Sequence, residues 1–186
     1  MVDATQLRFL HIAGTGNSGP QHWHTHWEAT DPRCSRIIQD DWDHGSRADW
    51  VARIDEGING STVPAVLMAH SLGNIALTHW AASSSGPVLG AFLVAPSDID
   101  GDWVEPGAIY EGFRPTPMDP LPFPSVMIAS TNDPYLSVAR ATEFAAAWGS
   151  ELTFVGDQQH LGSECDLGVW PEGAALRDAF VARLLS

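Results

Sequence analysis

An apolar run that ends on a serine between small residues constrains this chain more than any other feature. Residues 65–73 read Ala-Val-Leu-Met-Ala-His-Ser-Leu-Gly. The first four have the composition of a strand buried on both faces. The chain must then turn sharply, and Ala69 and Gly73, two residues either side of Ser71, leave room for a tight corner. A strand–turn–helix corner of this kind lies at the carboxyl edge of a parallel sheet and presents its serine there. It also makes a demand on the rest of the sequence. A serine hydroxyl is a weak nucleophile unless a base takes its proton, and the base needs an acid to orient it.

Both partners follow in order. Asp133 stands in Ser-Thr-Asn-Asp-Pro-Tyr and His160 in Asp-Gln-Gln-His-Leu-Gly, each just after a predicted strand. In this arrangement His160 is the base and later the acid, and Asp133 fixes its tautomer. The order Ser, Asp, His is that of an α/β-hydrolase and differs from the chymotrypsin and subtilisin orders. An oxyanion needs fixed donors. The backbone N–H of Leu72 is one candidate, and that of Thr15, in the turn Gly14-Thr15-Gly16, is the other, with Gly14 second. Asp98 and Asp100 compete with Asp133 for the acid role. His70, inside the corner, is read as packing beside the strand. His22 and His26 would share a helix face and could hold a metal, yet no nearby carboxylate or cysteine completes a set, so no metal site is assigned.

Apolar runs alternate with helix-periodic segments, the pattern of a parallel sheet covered on both faces. Strands are expected at Arg8–Ile12, Ser35–Gln39, Ala65–Met68, Leu89–Val94, Ser125–Ala129 and Glu151–Val155. A short helix is expected over His22–Ala29. Ser46 with Asp49 three residues on reads as a capping box, opening a helix with Trp50, Val51, Ile54 and Ile58 on one face. Later helices place Ile75, Ala76 and Trp80, then Val138, Ala141, Phe144, Ala145 and Trp148, then Leu176, Phe180 and Leu184 toward a core. Residues 96–124 form a long connection holding Pro115, Pro117, Pro120, Pro122 and Pro124. It leaves the edge where such sheets bind ligands, so it is read as a pocket wall, a rigid surface strap being the alternative.

The 186 residues suit one domain, 1–186. Asp and Glu number 23 against nine basic residues, a formal net charge of −14, which disfavours nucleic acid and anionic membranes as partners. All nine basic residues are arginine. Lysine chemistry (Schiff bases, pyridoxal phosphate attachment, P-loop phosphate binding) is therefore excluded. Cys34 and Cys165 form no metal or redox motif, and the first residues lack the pattern of a signal peptide. A cytoplasmic protein is expected.

With those residues in place, the chain resembles the small serine hydrolase family of bacterial YdeN-like proteins and the human retinoblastoma-binding hydrolase. The resemblance runs from about residue 8 to the C-terminus. It rests on Gly-Asn-Ser-Gly-Pro-Gln-His-Trp at 16–23, Gln-Asp-Asp-Trp at 39–42, Ala-His-Ser-Leu-Gly at 69–73, Leu-Val-Ala-Pro at 93–96, Leu-Pro-Phe-Pro-Ser at 121–125, Asn-Asp-Pro-Tyr at 132–135 and Trp-Pro-Glu-Gly at 170–173. It implies a trimmed α/β-hydrolase, a six-stranded parallel sheet of order 2-1-3-4-5-6 without a lid domain. It also implies the triad Ser71, Asp133 and His160, and a cofactor-free reaction on small esters or amides. The chain departs from the family pattern at Ala13, at Gln159 and in Gly-Ser-Glu-Cys-Asp at 162–166. A Leu-x-Cys-x-Glu motif is absent, so a retinoblastoma partner is not carried over.

The function expected is cleavage of a small ester or activated amide through an acyl-enzyme. The alternative is a protein-interaction module on the same fold with residual or lost catalysis. Trp42, Trp103, Phe113, Phe123, Tyr135 and Trp170 are the aromatic candidates for the pocket, with core packing the default for each.

Overall fold

The computed structural model describes residues 7–186. Six parallel strands, β1 (Arg8–Ile12), β2 (Cys34–Arg36), β3 (Ala65–Ser71), β4 (Val88–Pro96), β5 (Ser125–Ala129) and β6 (Glu151–Phe154), form one sheet in the order β2-β1-β3-β4-β5-β6. Its helices are α1 (Trp23–Thr30), α2 (Arg47–Asn59), α3 (Leu72–Ser83), α4 (Val138–Trp148) and α5 (Pro171–Leu184). This is the α/β-hydrolase architecture, in the strand order expected.

β3 lies between β1 and β4, and all seven of its residues are buried. Its two faces feed two cores. On one, Leu67 and Ala69 pack with Trp50, Ile54 and Ile58 of α2, Ile75 and Trp80 of α3, and Phe144 and Trp148 of α4. On the other, Val66 and Met68 pack with Trp23 and Trp27 of α1 and Phe180 and Val181 of α5. Fully burying a large apolar side chain is worth about 1.5–3 kcal/mol over exposing it, so the four-residue spacing of Trp50, Ile54 and Ile58 fixes which face of α2 turns inward.

Local signals set the helix ends. The Ser46 hydroxyl accepts from the Asp49 N–H, and Ser137 does the same for Arg140. Each cap satisfies a backbone donor with no partner inside the helix, worth about 1 kcal/mol. α4 stops at Gly149, whose φ of +70° suits a residue without Cβ. Pro171 opens α5 at its first position.

Several boundaries differ from expectation. β2 covers Cys34–Arg36 instead of Ser35–Gln39; as an edge strand it pairs only with β1, opposite Phe9–His11, and its pairing ends with the bond from the Ile37 N–H to the His11 carbonyl. α1 begins at Trp23, with His22 as its N-cap. His22 therefore sits outside the helix and does not share a helical face with His26. β3 runs three residues further than expected, through Ser71, and β4 reaches Pro96 because Ser71 pairs with it after a register shift.

The proline-rich connection is folded back onto the body. Phe113, in a 3-10 turn over Ile109–Phe113, is fully buried against Trp50. The Trp148 indole donates to the Pro117 carbonyl at 2.8 Å, and the Leu121 N–H donates to the Trp148 carbonyl at 3.0 Å. Arg114 holds the start of the segment through the carbonyls of Ile99 and Gly101. Among the described residues no helix is long and apolar enough to cross a membrane.

Candidate active site

The carboxyl ends of the strands converge on Ser71. Its backbone, φ 55° and ψ −129°, lies in a region that a residue with a side chain rarely occupies, the strain characteristic of a nucleophile elbow. Two glycines make the corner possible. A Cβ on Gly73 would lie 2.2 Å from the Ile12 carbonyl oxygen and 2.7 Å from that of Ala13. A Cβ on Gly14 would lie 2.6 Å from the Ser71 Cβ and 3.0 Å from its Oγ. The turn after β1 is thus packed directly on the serine. Ala69, where the sequence departs from the common glycine, is buried without exposure.

The Ser71 Oγ is 2.9 Å from His160 Nε2. On the other side of the ring, His160 Nδ1 is 3.0 and 2.9 Å from the two carboxylate oxygens of Asp133. Asp133 Oδ1 also accepts the Tyr135 N–H at 2.8 Å, which fixes the carboxylate in the turn after β5. With the Nδ1 proton directed at the carboxylate, Nε2 carries the lone pair and the serine donates to it. The structure brings Ser71, His160 and Asp133 into one hydrogen-bonded line.

The competing acids lie elsewhere. Arg140 Nε is 3.1 Å from Asp98 Oδ1, and its Nη2 is 3.6 Å from Asp100 Oδ2. Both carboxylates thus face an arginine on α4 and neither bonds to His160. Of the proposed oxyanion donors, Leu72 is the first residue of α3, where a backbone N–H has no carbonyl one turn earlier. Thr15 lines the cavity beside Ser71, and its Oγ1 is 2.8 Å from the Tyr110 hydroxyl.

That cavity has a volume of about 290 Å³. Tyr110, from the proline-rich connection, and Tyr135 give it aromatic walls, while Asn17, Gln159, Ser163 and Glu164 supply polar ones. Tyr135 was among the expected lining aromatics; Tyr110 was not. Trp103 stands behind both tyrosines, with ring centroids 4.9 and 4.8 Å away. Trp42 packs on Trp50, Phe123 on Trp80, and Trp170 on Trp23 and Trp27, all away from the serine.

Two contacts have no signal in the sequence. Ser97, just past β4 and buried, places its Oγ 2.9 Å from the Ser71 Oγ. His70 bonds through Nε2 to the His160 carbonyl at 2.9 Å. The His22 ring bonds to His70 and to the His24 N–H. No group of three or more potential metal ligands occurs among the described residues.

A sheet of this order with a serine at its central elbow defines an α/β-hydrolase. The chain belongs to the serine hydrolase family, whose model matches residues 9–178. Its sequence is 32% identical to a protein of Pectobacterium atrosepticum described as a YdeN-like hydrolase, over 97% of this chain and 94% of that one, with a TM-score of 0.85. The YdeN protein of Bacillus subtilis is similar in fold, with a TM-score of 0.68 at 14% identity, covering 94% and 98% of the two chains. Est1E from Butyrivibrio proteoclasticus shares the fold at 11% identity, with a TM-score of 0.68 over 97% and 89%. No match is found among curated proteins.

Proposed function

We propose that this chain hydrolyses small esters, or activated amides, through an acyl-enzyme on Ser71. One observation carries the reading: the unbroken line from the Ser71 Oγ through both nitrogens of His160 to Asp133, at 2.9, 2.9 and 3.0 Å. In the first step the Ser71 oxygen bonds to the substrate carbonyl carbon as its proton passes to His160 Nε2. Asp133 stabilises the imidazolium that results. The tetrahedral oxyanion is held by the N–H groups of Leu72 and Thr15. Collapse expels the leaving alcohol or amine, which takes the proton from His160. Water then repeats the sequence on the acyl-enzyme and restores the serine.

The cavity supports a small and polar substrate. It offers hydroxyl, amide and carboxylate groups, and no arginine lines it. An anionic acyl group would meet Glu164 and no cation, so neutral or cationic substrates are favoured.

The test is labelling by a fluorophosphonate, which traps only an activated serine. Wild type should label, and Ser71→Ala and His160→Ala should not, with all three folded by circular dichroism. A folded wild type that stays unlabelled would refute the hydrolase mechanism and leave an interaction module. A series of p-nitrophenyl esters would then rank acyl groups, with short neutral chains turned over faster than succinyl or long aliphatic ones.

A further inference from the structure

The loop that carries His160 is held in a costly conformation. Gln159 and Leu161, on either side of it, have φ values of 49° and 52°, in the left-handed region that side chains disfavour. Such a loop persists only where its surroundings fix it. Three contacts do so from distant elements. The Gln159 N–H donates to Asn132 Oδ1 at 2.6 Å, the Trp23 indole donates to the Leu161 carbonyl at 3.0 Å, and His70 Nε2 reaches the His160 carbonyl itself.

The third contact is the end of a chain with only one consistent direction. The His24 backbone N–H donates to His22 Nδ1 at 3.1 Å, so that nitrogen must be an acceptor and the ring proton lies on Nε2. His22 Nε2 is 3.3 Å from His70 Nδ1, which therefore accepts. His70 is left with its proton on Nε2, and only that form can donate to the His160 carbonyl. Each ring uses both nitrogens, and each must be neutral. Burial favours this: it pushes His22 down to about 3 and holds His70 well below the ordinary histidine range.

We propose that His22 and His70 form a one-way hydrogen-bond relay that sets the position of the His160 loop, and that both are positioning residues for the reaction. The inference rests on the hydrolase reading above for its effect on rate. A neutral relay suits that chemistry, because the His70 ring centroid is 5.0 Å from that of His160. A cation at that distance would oppose the imidazolium formed as Ser71 attacks, whereas a dipole ending on the loop carbonyl holds the ring without competing for its proton.

Two measurements test this. Imidazole nitrogen spectra of wild type should show His22 and His70 as neutral Nε2–H tautomers from about pH 5 to about pH 8. A proton on Nδ1 of either ring would overturn the relay. The second is His22→Asn, which keeps an oxygen to cap α1 and whose shorter amide stops short of His70 Nδ1, already 3.3 Å from the imidazole. It should retain the melting temperature, lower kcat for p-nitrophenyl acetate on the order of tenfold, and leave KM unchanged. Unchanged kcat would also overturn the proposal. His70→Leu should lose more rate than His70→Gln, whose amide can still donate to the His160 carbonyl. The spectra read the relay without turnover, so an inactive wild type would refute Ser71 as nucleophile and leave the relay to be decided by its tautomers.

Discussion

The hydroxyls of Ser71 and Ser97 lie 2.9 Å apart, both buried, at the ends of the adjacent strands β3 and β4. Since Ser71 donates to His160, Ser97 is the donor of this pair. If Ser71 is the nucleophile proposed above, this hydrogen bond holds it in the rotamer that faces His160. Ser97→Ala should therefore lower the fluorophosphonate labelling rate about fivefold, the equivalent of about 1 kcal/mol, with little change in stability. An unchanged rate would make Ser97 a bystander.

Asp133 and Asp98 provide a sharper contrast. Asp133→Asn keeps the shape of the acid but removes its preference for the Nδ1 proton, so kcat should fall by about 10³–10⁴. Asp98 faces Arg140 in a partly exposed pair, and Asp98→Asn should cost no more than about 1 kcal/mol of stability. Its activity should stay near that of wild type. Esterase assays on the two variants would separate the roles, and the reverse ranking would move the acid to the end of β4.

Gly73 tests the corner. An alanine there would drive a methyl into the carbonyl oxygens of Ile12 and Ala13. Gly73→Ala should destabilise the protein by roughly 1–3 kcal/mol or more in urea unfolding. Gly112→Ala, where a Cβ meets nothing within 4 Å, should stay within about 0.5 kcal/mol of wild type.

The buried imidazoles predict an acid-sensitive fold. Burial pushes His22 down to about 3 and holds His24 and His70 well below the ordinary value. Below about pH 6.5 the unfolded chain takes up protons on these rings and the folded chain does not. Their contribution is therefore complete above that pH and is lost as pH falls toward the folded values. Between about pH 6.5 and 5 each ring removes up to about 2 kcal/mol. The urea midpoint should be lower at about pH 5 than at about pH 7. Equal midpoints would mean that the rings are accessible to protons in the folded state.

Much of this architecture is legible in the sequence. The run at 65–73, the capping pair Ser46 and Asp49, and the four-residue spacing of Trp50, Ile54 and Ile58 are local signals, each decided within a few residues by sterics or burial. Strand order followed from the family resemblance. The ends of β2 and α1 were less legible. An edge strand has a single partner to hold its ends, and His22 can cap a helix or open it with the same side chain.

The sequence by itself determined the order of the candidate triad Ser71, Asp133 and His160, the corner at Ser71, and the exclusion of lysine chemistry, because these depend on residue identity and short spacing. Only the tertiary structure decided that Asp98 belongs to Arg140, that Tyr110 walls the cavity, and that Ser97, His22 and His70 stand around the candidate site. Those contacts join residues 26, 48 and 90 positions apart. Such pairs are set by strand register and loop closure, which no local pattern encodes.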